Sequence, residues 1–156
     1  MRVAVGGRLP IPPARAFQAL AAWEEQPRWV SDAAAVTVVG QGRDGVGTRV
    51  AVETRVLGIP LFRDVLEVTR WVPGVGLEVA HHGLMRGRGR WHLRSAPDGS
   101  DFLWDEDVRL PIPFLGELAL HVYRPALRRR MRRSIATLAT LLAEEGPFPG
   151  PATTVR

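Results

Sequence analysis

"GRGRWHLRSAPDGSDFLWDEDVRL", residues 87–110, decides how this chain folds. Two runs of alternating residues flank a "PDGS" turn signal, the pattern of two antiparallel strands joined as a hairpin. Pairing Ala96 with Asp101 sets His92 opposite Asp105 and Arg90 opposite Asp107, and such cross-strand pairs support the register. Trp91, Leu93, Phe102, Trp104 and Val108 then share the other face. Glu106 falls on that face too, across from Trp91. A carboxylate among aromatics is the anomaly, because burying it unpaired is costly.

The same two-residue period runs from Val36 to Leu110, broken at "GQGRDG", "GIP", "PGVG" and "HGLMRG". Strand therefore follows strand in an antiparallel meander, with no helices between. In "GLEVAHH", residues 76–82, matching the apolar side to Trp91 and Leu93 turns His81 inward and His82 outward. "VGTRVAVETRV", residues 46–56, places Val50, Val52 and Val56 inward and Arg49, Glu53 and Arg55 outward. "LFRDVLEVTRW", residues 61–71, leaves two choices. Either Phe62, Leu66 and Val68 point in with Asp64, or Val65, Thr69 and Trp71 do with Arg63.

Helical patterns bracket the meander. "RVAVGGRLP" reads as a first strand, and "IPPARAFQALAAW" has proline at a helix start, where its missing N–H is not needed. A helix is expected over about 13–22, then a shorter helical turn to about 30. In "RPALRRRMRRSIATLATLLAEE", residues 124–145, Leu127, Met131, Ile135, Leu138, Leu141 and Leu142 lie within an arc of roughly 120°. Arg129, Arg132 and Arg133 sit opposite, and Arg128 and Arg130 flank the arc, where long stems cover apolar edge. A helix starting at Pro125 would set this cationic cluster against the positive end of its dipole. One long helix from near Phe114, kinked at Pro125, removes the conflict. The tail "GPFPGPATTVR", residues 146–156, is too rich in Pro and Gly to pack and is expected to be flexible, leaving 1–145 as the folded unit.

At 156 residues the chain suits one domain with a real core. It has no cysteine, which excludes disulfides, thiol nucleophiles and thiolate metal sites. Four histidines, single or as "HH" on a strand, make no metal set, and no metal or cofactor is expected. There is no Gly-x-Ser-x-Gly elbow, and "GQGRDGVG" leads into a strand, so it is a turn and not a phosphate loop. No run approaches the ~20 apolar residues of a membrane span. The expectation is a cytoplasmic protein, monomeric or a homodimer. All 21 basic residues are arginine, consistent with GC-rich coding bias, and the net charge of +5 permits attraction to anions without naming one.

The order helix–turn, meander and long closing helix resembles the START/Bet v 1-like (SRPBCC) superfamily. "LPIPPARAFQALAAWEEQPRWVSDAAAVTVVGQGRDGVGTRV" is similar to its opening, with a Pro-punctuated strand end, a helical Phe, a Trp before the second strand and Gly-x-Gly-Thr. "LRRRMRRSIATLATLLAEEG" resembles its closing helix. Within the superfamily the likeness is to polyketide cyclase/dehydrase-like members, which include lipid and quinone binders. The resemblance implies an α+β helix-grip fold. A curved antiparallel sheet of about seven strands would wrap around the long C-terminal helix, with two short helices after the first strand and a cavity between sheet and helix. These motifs mark the fold and name no chemistry.

Aromatics with a few polar groups among them are what small-molecule pockets contain. Trp29, Val52, Trp91, Phe102 and Trp104 are the candidate lining, with Tyr123 near the entrance. Glu106 either pairs structurally, with an inward Arg63 or Arg70 or with water, or sits desolvated as a proton carrier or ligand partner. His81 is either a satisfied sheet histidine or an acid/base. Three readings follow. The first is a binder of a polyketide-, lipid- or quinone-like molecule that hosts cofactor-free cyclisation or dehydration; the second is a non-catalytic carrier or chaperone with the same cavity. The third, less favoured, is a ribosome- or RNA-associated protein using the Arg face, whose mark would be steep salt dependence.

Overall fold

The computed structural model describes residues 1–56, 59–110 and 115–146. Strand β1 (Arg2–Leu9) leads into helix α1 (Pro13–Ala21) and a 3-10 turn (Trp23–Arg28). Strands β2 (Ala33–Val39), β3 (Arg49–Val56), β4 (Ile59–Val72), β5 (Gly76–His82), β6 (Arg86–Ala96) and β7 (Gly99–Arg109) follow. Helix α2 (Leu115–Glu145) closes the chain. The strands form one antiparallel sheet in the order β1-β7-β6-β5-β4-β3-β2. This is the helix-grip arrangement, a curved sheet closed by the long helix. Beyond Gly146, the Pro/Gly-rich tail lies outside the described residues, as do Phe114 and the side chains of Val56 and Phe62.

The β6–β7 hairpin forms, but in a register two residues tighter than the charge pattern suggests. Ala96 pairs with Gly99, leaving Pro97 and Asp98 as a two-residue loop. Asp98 has φ 62°, and proline followed by a left-handed residue is the order a type II turn uses. Arg90 therefore faces Asp105 and not Asp107, His92 faces Leu103, and Trp91 faces Trp104. Glu106 lies opposite Gly89 rather than Trp91. The tighter turn keeps the charge pairing with other partners, setting Arg88 opposite Asp107, Arg90 opposite Asp105 and Arg94 opposite Asp101. A shift of two preserves faces, so Trp91, Leu93, Phe102, Trp104, Glu106 and Val108 remain on the inner side. Outside, Arg90 ion-pairs with Glu78 at 3.2 Å and Asp105 at 3.7 Å.

Strand β4 uses parts of both choices. Asp64 and Val68 are buried on the inner face, with Leu66 between them. One extra residue is then accommodated between Val68 and Arg70, where the register against β5 slips. After this bulge Trp71 also turns inward, its ring 4.9 Å from Phe17 in an edge-on contact. A single bulge exchanges the faces of a strand, which a strict two-residue period cannot represent.

Helix α2 runs through Pro125 and buries Met131, Ile135, Leu138 and Leu142, with Leu127 and Leu141 packed at the margin. Arg128, Arg129, Arg132 and Arg133 are exposed. The helix lies close against β1 because Gly7 has no side chain: a Cβ there would overlap the Ile135 side chain. Arg28 donates to Glu145 at 2.6–2.7 Å, tying the 3-10 turn to the far end of α2.

Candidate functional site

The five tryptophans form one connected cluster with Phe17 and Phe102. Trp91 is central, with centroids 5.8 Å from Trp29, 5.9 Å from Trp104, 6.2 Å from Phe102 and 6.4 Å from Trp23; Trp71 joins through Trp23 at 6.3 Å. Spacings and tilts of this kind are favourable for aromatic pairs. Beside the cluster, between α2 and the sheet, lies a cavity of about 130 Å³. Trp23, Trp91, Trp104, Leu66, Val79 and Met131 are among its apolar walls, with Val52 and Met85. Trp29 and Phe102 do not line it; they are buried behind Trp91 and support it. Tyr123 does not line it either.

Two charged clusters break the apolar wall, beside the neutral Gln26 and Ser134. At the first, His81 of β5 lies between Glu106 of β7 and Asp64 of β4. Its Nε2 is 3.1 Å from Glu106 Oε2 and its Nδ1 is 3.5 Å from Asp64 Oδ2. All three side chains are nearly buried, with 10 %, 13 % and 5 % exposure for His81, Glu106 and Asp64. Trp104 Nε1 donates to Glu106 Oε1 at 2.7 Å, so each carboxylate oxygen already has one partner. Glu106 is thus satisfied by His81 and Trp104 and not by Arg63 or Arg70. Burial alone would push the imidazole down, but the close Asp64 carboxylate, the hydrogen bond to Glu106 and the charges of both outweigh it and raise its pKa from 6.5 to about 9. At neutral pH the ring carries both protons.

Glycines make room for this cluster. A Cβ on Gly83 would overlap the Asp64 carboxylate, and one on Gly89 would stand 2.8 Å and 3.1 Å from the Glu106 oxygens. The cross-strand position that sequence pairing gave to Trp91 is held by a residue with no side chain. That is how a carboxylate fits on an inner face.

The second cluster is Arg130 with Asp32. Arg130 Nη1 donates to the Tyr123 hydroxyl at 2.9 Å and to Asp32 at 3.4 Å, and both Arg130 and Asp32 line the cavity. Burial pushes the Tyr123 pKa above its ordinary 10 against the opposing effect of Arg130, so it stays a phenol. Tyr123 reaches the site by holding an arginine. Asp64 and Arg130 were not among the candidate site residues. Arg130 was legible on the helical wheel, since it lies near Leu141 in projection at the edge of the apolar arc.

The family model for polyketide cyclase/dehydrase and lipid transport proteins matches residues 2–143. The chain belongs to this family. Among solved structures, TTHA0849 from Thermus thermophilus superposes with TM-score 0.78 at 19 % identity, covering 93 % of this chain and 99 % of that one. MLL2253 from Mesorhizobium loti gives 0.71 at 15 % identity over 93 % and 98 %. The di-domain ARO/CYC StfQ from the steffimycin biosynthetic pathway gives 0.73 at 13 % identity, covering 92 % of this chain and 50 % of that one. At such identities the likeness establishes the fold. No curated protein matches the chain. Among the described residues no helix is long and apolar enough to cross a membrane, and no group of three or more His, Asp or Glu side chains is placed to hold a metal ion.

Proposed function

We propose that this protein binds a hydrophobic small molecule of polyketide, lipid or quinone type in the cavity between α2 and the sheet. The observation that carries the reading is a space left unfilled in the core, walled mostly by aromatic and aliphatic side chains and broken by two charged clusters. Protein interiors pack densely, so a void of this size is unusual unless something occupies it. An apolar cavity of about 150 Å³ accepts a single aromatic ring, whereas drug-sized ligands occupy about 300–1,000 Å³. The cavity as it stands holds a ring-sized portion of a ligand, and a longer molecule would extend past Arg130 and Asp32. Glu106 faces the ligand as acceptor for a hydroxyl, because its oxygens retain lone pairs beyond those used by His81 and Trp104. Trp91, Trp104 and Val52 supply contact area, while Trp29 and Phe102 hold Trp91 in place.

Native mass spectrometry of the purified protein tests the reading directly, together with displacement of a hydrophobic dye. A co-purifying apolar molecule, or saturable dye uptake weakened by Glu106→Gln, supports it. Absence of both sinks it.

A second reading, cofactor-free cyclisation or dehydration, is favoured by one specific feature. Glu106 can take a proton from a bound ligand and return it to the departing hydroxyl, while His81 and Trp104, hydrogen-bonded to its two oxygens, hold it in place. The carrier reading needs only the cavity. Turnover of a reactive poly-β-keto thioester mimic that Glu106→Gln abolishes even at saturating mimic, where weakened binding is made up by concentration, separates the two.

A further inference from the structure

Gln26 stands in the cavity wall with its amide oxygen unused. It sits in the 3-10 turn, 5 % exposed, where its backbone carbonyl accepts the Trp29 and Val30 N–H groups at 3.0 Å and 2.8 Å. Its Nε2 donates to the Leu20 carbonyl at 3.0 Å. Because a carbonyl only accepts, this contact fixes which way the amide points. Oε1 then accepts no hydrogen bond among the described residues. Buried polar atoms are nearly always hydrogen-bonded, so an acceptor held in this way beside an apolar space is placed for something that enters it. Ser134, the other neutral polar residue of the wall, is already engaged, its oxygen accepting the Ser31 N–H at 3.1 Å.

The enclosed part of the cavity therefore ends in oxygens that accept. Glu106 keeps spare lone pairs, and the nearby donors His81 and Trp104 are both spent on it. Arg130 can donate, but its side chain is 31 % exposed and it holds Tyr123 and Asp32. We infer that Gln26 Oε1 and Glu106 accept hydrogen bonds from two hydroxyls of one ligand ring, so that the cavity selects a dihydroxylated, phenol- or quinol-type ring over its keto or quinone counterpart. A cavity of about 130 Å³ has room for a single ring, which keeps both oxygens close to that ring's edges. A ligand carbonyl at either position sets oxygen against oxygen with no proton between them. A buried acceptor left unpaired in this way discriminates against the ligand that lacks the donor. The inference rests on the ligand-binding reading above and narrows it.

The test is calorimetric titration of the full chain with catechol, resorcinol and hydroquinone, each against the cresol in which methyl replaces one hydroxyl. Every probe keeps a hydroxyl for Glu106, and the members of a pair are nearly equal in size. At least one diol is expected to bind wild type as tightly as its cresol or more so, although it is the more hydrophilic. Gln26→Met, close to glutamine in volume, should lower that diol-to-cresol ratio by about fivefold to tenfold, the net contribution of one hydrogen bond. The matching methoxyphenol, which offers a second oxygen without its hydrogen, should bind no better than the cresol. Wild type that binds the cresols more tightly than every diol overturns the inference and leaves the cavity reading standing, as does a ratio that Gln26→Met leaves unchanged. A methoxyphenol that matches the diol also overturns it, since the ligand then meets the amide N–H. Should Gln26→Met fail to fold, the wild-type comparison of diol, cresol and methoxyphenol decides alone. If neither diols nor cresols bind, the cavity reading falls as well.

Discussion

Raising the pH should destabilise this protein well before its arginines titrate, and His81 is the reason. Its folded-state pKa is about 9 against an ordinary 6.5, so the folded state holds a proton that the unfolded chain has released between those values. The sign follows: the stabilisation is complete below about pH 6.5 and is lost as pH rises through about 9. The full difference corresponds to about 3 kcal/mol, on the order of a third of the stability of a typical domain. Urea denaturation midpoints measured every half unit from pH 6 to pH 10 should decline across this window and flatten above it. Asp64→Asn and Glu106→Gln should each shrink the slope, because each removes a charge that holds the imidazolium. The His81 ring resonances, followed by NMR, should titrate near pH 9. A flat stability profile between pH 6.5 and 9, or a His81 titration at about 6.5, would refute the reasoning.

Four further outcomes can be checked on the same protein. Gly7→Ala should lower stability by about 1–3 kcal/mol in denaturant melts, because its Cβ meets Ile135 where α2 packs on β1. Gly89→Ala should weaken dye uptake as well as stability, since the added methyl displaces the Glu106 carboxylate toward the cavity. Val52→Phe should reduce dye uptake strongly while shifting stability by less than about 1 kcal/mol; a loss of 1–3 kcal/mol would mean the space is packed and not open. Replacing Arg129, Arg132 and Arg133 together with Gln should leave the melting temperature within about 2 °C and dye binding unchanged, since all three side chains are exposed.

Periodicity alone determined the faces of this protein. Alternation placed Trp91, Trp104, Glu106 and His81 on the inner side and Arg90, His82 and Arg49 on the outer one, while a 3.6-residue repeat marked the buried arc of α2 from Leu127 to Leu142. These assignments depend only on the pleat and the helical turn, which are local properties of the backbone. The partners of the inward polar groups were decided by tertiary structure. The hairpin register depended on how Pro97 and Asp98 turn, and a two-residue slip exchanged Trp91 for Gly89 opposite Glu106. Asp64 points inward by plain alternation with Val68, and the bulge after Val68 then turned Trp71 inward too, so neither simple alternation holds along the strand. His81 meets Glu106 across 25 residues of chain, and Arg130 meets Asp32 across 98. A carboxylate on an apolar face can be read from spacing as a conflict, but the charge that resolves it comes from another strand. Only the closed sheet brings that strand within hydrogen-bonding distance.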